Sequence, residues 1–61
     1  MNTGDILIRD TDGKRFRVLD LAHWSEIVAN DGEKSSVKWI GGDKYVAPKG
    51  PTFTLQVSRG A

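Results

Sequence analysis

The chain has 61 residues, 38% of them hydrophobic and 28% charged, with one histidine, no cysteine and a formal net charge of +1. That length allows a single small domain, which buries only about 60% of the surface its unfolded chain exposes. The missing cysteines exclude a disulfide and a thiolate-held metal, and no run approaches the ~20 apolar residues of a membrane-spanning helix.

The opening Met1-Asn2-Thr3-Gly4-Asp5 lacks the basic and apolar regions of a secretory signal. Together with the absence of cysteine, this reads as a cytoplasmic protein. Residues 5–10 form a first strand, with Ile6 and Ile8 on one face and Leu7 and Arg9 on the other. Thr11-Asp12-Gly13 supplies a tight turn, and residues 14–21 return as a second strand that turns Phe16 and Val18 one way and Arg15, Arg17 and Leu19 the other. Residues 21–30 are ambiguous. Leu21, Trp24, Ile27 and Val28 recur at helical spacing, with Asp20 as a cap and Gly32 as a stop, yet the same residues suit a strand. We expect a short helix there, with a strand as the alternative.

After a turn at residues 31–34, Ser35 to Ile40 reads as a strand with Val37 and Trp39 on one face. Gly41-Gly42-Asp43 turns the chain into a short strand over residues 44–47, and Pro48-Lys49-Gly50-Pro51 is a stiff connector. Residues 52–58 close the pattern with Phe53, Leu55 and Val57 alternating against Thr54, Gln56 and Ser58. The expected fold is therefore mostly β: one domain over residues 1–61, forming a five-stranded small barrel or bent antiparallel sheet. The expected core is Ile6, Ile8, Phe16, Val18, Val37, Trp39, Phe53, Leu55 and Val57.

Gly4-Asp5-Ile6-Leu7-Ile8, followed by Asp12-Gly13-Lys14-Arg15-Phe16-Arg17-Val18, resembles the first hairpin of SH3-like small barrels of the kind found in phage and prophage proteins, including some head–tail joining proteins. The resemblance spans residues 4–20. It implies the barrel fold and a phage or mobile-element setting, and it specifies no functional residue. The chain lacks the acidic and aromatic run with which eukaryotic SH3 domains grip proline-rich peptides.

Little here points to catalysis. Asp20 and His23 would share a helical face, but Ser25 would point away from both, and Asp20, His23 and Glu26 match no established ligand spacing. Gly41-Gly42-Asp43-Lys44 lacks the spacing of a phosphate loop. We expect a non-enzymatic module with no metal or cofactor.

Charge is unevenly distributed. Residues 1–33 hold four Lys/Arg and seven Asp/Glu, a net −3, whereas residues 34–61 hold five and one, a net +4. A basic half is the footprint of a DNA or RNA partner, although opposite charges can simply meet in the fold. For nucleic acid, the candidate residues are Arg15, Arg17, Lys38, Lys44 and Lys49 for phosphates, with Trp24 and Tyr45 for base stacking. The alternative is a protein-interaction or self-assembling module (an inhibitor, an adaptor, a homodimer or a minor phage structural part), using exposed aromatics or an edge at Phe53 to Val57. Placement discriminates between them. Nucleic-acid binding needs the lysines on one face with Arg15 or Arg17, and protein binding needs an exposed apolar patch.

Overall fold

The computed structural model describes residues 1–56. Six strands run β1 Ile6–Arg9, β2 Arg15–Asp20, β3 Ser25–Ala29, β4 Lys34–Gly41, β5 Lys44–Val46 and β6 Thr52–Gln56. Each pairs antiparallel with the next, and β1 also pairs with β6, closing the sheet into a barrel. The mostly β expectation holds, with one strand more than expected and no helix among the described residues.

The extra strand is β3, where a helix was favoured. Ser25, Ile27 and Ala29 face inward at a period of two, while Glu26 faces out. Ser and Ala are weak markers of an inward face, so the alternation is hard to see, and the spacing of Trp24, Ile27 and Val28 imitates a helix. Ladders to both β2 and β4 decide for the strand.

Closure removes every exposed edge, so β6 is satisfied on both sides, by β1 and β5, and is not free to pair with another chain. Glycines make the tight connections. Gly13 (φ 75°) closes the β1–β2 turn and Gly42 (φ 52°) the β4–β5 turn, both in the left-handed region that a side chain disfavours.

The interior holds Leu7, Phe16, Val18, Ile27, Ala29, Val37, Tyr45, Ala47 and Phe53. Phe16 and Phe53 meet edge to face, their centroids 5.4 Å apart. Three expected core positions differ. Leu7 points inward and Ile6 and Ile8 outward, the reverse of the expected parity. The register decides it: Leu7 lies opposite Phe16 and Leu55, and Arg9 opposite Phe53, so Arg9 shares the inward parity and lays its guanidinium 5.2 Å from the Phe16 ring. Trp39 is 63% exposed rather than core. Leu55 is partly buried against the core, and Val57 lies outside the described residues.

Phe53→Ala should cost about 3–5 kcal/mol, against a total of about 3–9 kcal/mol expected for a chain of this length. Urea denaturation followed by circular dichroism should therefore find the variant largely unfolded at room temperature. A variant as stable as the parent would mean that the Phe16–Phe53 contact does not anchor the barrel.

Candidate functional site

In an antiparallel barrel the connections alternate between two ends, and here the ends differ in chemistry. One carries the β1–β2, β3–β4 and β5–β6 connections and the other the β2–β3 loop, the β4–β5 turn and the N-terminal segment.

The first end is locked by ions. Arg9 Nη2 donates to Asp12 at 2.7 Å and Arg9 Nη1 to Glu33 at 2.9 Å. Lys14 Nζ bridges Asp31 at 2.7 Å and Glu33 at 2.6 Å. The β1–β2 and β3–β4 turns are thereby tied across the barrel mouth. Beside them, Asp10 accepts from Thr54 at 2.7 Å, Thr52 at 2.8 Å and Lys44 at 3.1 Å. The two threonine hydroxyls and the lysine hold the Asp10 carboxyl down at about 2. The side-chain bond from Arg9, then the Lys14 backbone amide, does the same for Asp12.

The second end is apolar. Among the described residues, the large exposed hydrophobic side chains, Leu19, Leu21, Trp24, Trp39 and Ile40, all lie at it. Two register shifts help to put them there. The β2–β3 ladder slips between Val18 and Asp20, and the β4–β5 ladder between Trp39 and Gly41. Each slip leaves one extra residue, Leu19 and Ile40, turned to solvent. Trp39 pairs with Tyr45 and so shares its inward face, but lies at the rim, beyond the filled core. Its indole Nε1 donates to the Gly42 carbonyl at 2.8 Å, which pins the exposed ring. Ser25 fastens the β2–β3 loop: its hydroxyl accepts from Ala22 N–H at 3.4 Å and donates to Ala22 C=O at 3.3 Å.

Between Trp39, Tyr45, Leu55 and Met1 the barrel mouth forms an open depression of about 470 Å³. A second, of about 410 Å³, runs along Asp20, Trp24, Glu26 and Ser36. Ala22 lines both. Lys38 Nζ lies 5.4 Å from the centre of the Trp24 ring.

Of the residues proposed from sequence, only Trp24 and Lys38 are brought together. Arg15 and Arg17 project from the outer face of β2. Lys44 projects from β5, which in a six-strand ring is diametrically opposite, and is engaged by Asp10 and Thr54. Lys49 lies on the β5–β6 connector, at the ion-locked end. Tyr45 is 4% exposed and packs inside, so its ring offers no stacking face, and burial pushes its phenol up. Asp20, His23 and Glu26 sit on two strand ends and a loop instead of one helical stripe. Of the exposed apolar residues, sequence reasoning put only Trp39 in the core; it set Leu19 and Ile40 on the face opposite the core but did not name Leu19, Leu21, Trp39 or Ile40 as site residues. Their gathering at one end has no local signal, because a bulge is decided by the partner strand. No protein-family model, curated protein or solved structure matches the chain, so the SH3-like phage resemblance rests on residues 4–20 alone.

Two outcomes follow. Trp39→Ser should keep the fold and cost about 1 kcal/mol, the worth of its bond to Gly42, and retention of the urea midpoint to within that amount checks it. Asp10 and Asp12 ionise at about 2 instead of the usual 3.8. Their contribution is complete above about pH 4 and is lost as pH falls through about 2. Thermal melts should therefore fall between about pH 4 and pH 2, less steeply in Asp12→Asn and in added salt. An Asp12→Asn melt with the parent's acid slope would remove the latch from the account.

Proposed function

We propose that the protein is a non-enzymatic docking module that binds a partner protein through the apolar end of its barrel. The observation that carries this reading is that, among the described residues, the exposed large hydrophobics all gather at one end. Contiguous exposed apolar surface marks interaction sites. Trp39 adds a second argument, since a solvent-facing ring already held by a hydrogen bond loses little freedom on binding, and tryptophan dominates interface energetics.

The nucleic-acid reading has less support. It depends on Arg15 or Arg17 sharing a face with Lys38, Lys44 and Lys49, and on Tyr45 as a stacking ring. With β2 and β5 opposed, Lys44 neutralised by Asp10 and Tyr45 inside, that surface is dispersed. The buried hydroxyl, Ser25, is engaged by backbone, which favours a binding role over nucleophilic catalysis.

Amide chemical-shift mapping with the apolar probe anilinonaphthalene sulfonate tests the surface. Shifts should cluster at residues 19–25 and 38–43 and vanish in Trp39→Ser/Leu21→Ser. Fluorescence anisotropy with labelled single-stranded DNA, duplex DNA and RNA is the counter-test. Salt-sensitive binding that survives the same double substitution would overturn the docking proposal in favour of nucleic acid.

A further inference from the structure

Resting on the docking reading, the chemistry of the partner can be drawn from the charges around the apolar end. The carboxylates of the opposite end are satisfied: Asp10, Asp12, Asp31 and Glu33 each contact a lysine or arginine. Those flanking the apolar end are not. Among the described residues, Asp20 and Asp43 take part in no ion pair, and Glu26 has only Lys34 at 4.0 Å. Asp20 and Glu26 are moreover direct cross-strand partners. Like charges directly opposite each other destabilise a sheet, and a cation placed between them removes that cost.

Trp24 shows what the same groove does with a cation. It lines the groove with Asp20 and Glu26, and its ring already carries the Lys38 ammonium at 5.4 Å. An exposed cation–π contact of this kind is weak, so a partner's guanidinium that also met both carboxylates would displace Lys38. The mouth on the other side of Ala22 offers Trp39 and the partly buried Leu55 to an apolar side chain, with Asp43 at its margin.

We propose that the apolar end recognises a basic peptide segment of a partner protein, seating a large apolar side chain in the mouth beside Trp39 and an adjacent arginine or lysine between Trp24, Asp20 and Glu26. Among the described residues the barrel offers no strand edge, so the segment is held by side chains instead of by joining the sheet.

The test is selection of a displayed random twelve-residue peptide library on the full chain, with the folded Trp39→Ser/Leu21→Ser variant as the counter-target. Enriched peptides should carry Arg or Lys within three residues of a large apolar residue. Each exposed ion pair is worth a factor of about two to five, so Asp20→Asn/Glu26→Gln should weaken them on the order of tenfold and flatten their salt dependence. Circular dichroism confirms that the variant is folded. Neutral or acidic peptides whose binding requires Trp39 would overturn the basic-segment proposal while leaving the docking end in place. No enrichment over the counter-target would overturn both. A concentration-dependent dimer in sedimentation equilibrium, abolished by Trp39→Ser, would make a second copy of the chain the occupant and refute the basic segment.

Discussion

Closure of the sheet, made by pairing β1 with β6, is the constraint on which the rest depends. A six-stranded ring assembled from strands of three to eight residues has room for only a handful of inward side chains. Among the described residues nine fill it, and Phe16 and Phe53, from the two strands that flank β1, meet edge to face. Everything else must go to the outer wall or to the two ends. The ends have taken opposite chemistries, one sealed by the Arg9 and Lys14 ion pairs, the other left open and apolar.

The division of labour follows from that. The sealed end carries turns whose carboxylates are held by cations and hydroxyls. The open end carries two register slips and an exposed tryptophan, features that do nothing for the core. A small domain that keeps Leu19, Leu21, Trp24, Trp39 and Ile40 in water forgoes burial it could use, and a partner surface is the simplest physical reason for it.

Much of the barrel was legible in the sequence. The Asp12-Gly13 and Gly42-Asp43 turns and the alternation around Phe16, Val18, Val37 and Phe53 place five of the six strands nearly to the residue. The errors have common physical causes. Ile6-Leu7-Ile8 is apolar on both faces, so its parity is set by the register that puts Leu7 opposite Phe16 and Leu55, which no local pattern announces. Ser25 and Ala29 are small enough to conceal an inward face in β3. Trp39 has the inward parity that its spacing implies, yet lies past the last filled layer, a position along the barrel axis that periodicity does not encode. The candidate basic site failed to assemble for the same reason: residues close in sequence were distributed around a closed ring.

Acrylamide quenching of the native protein's fluorescence tests the central claim most directly, because the chain's two tryptophans, Trp24 and Trp39, are both assigned to the open end. Both should be quenched by a single accessible phase, at a rate approaching that of the urea-unfolded chain. A second, protected phase that persists in Trp24→Phe would return Trp39 to the core and remove the docking surface with it.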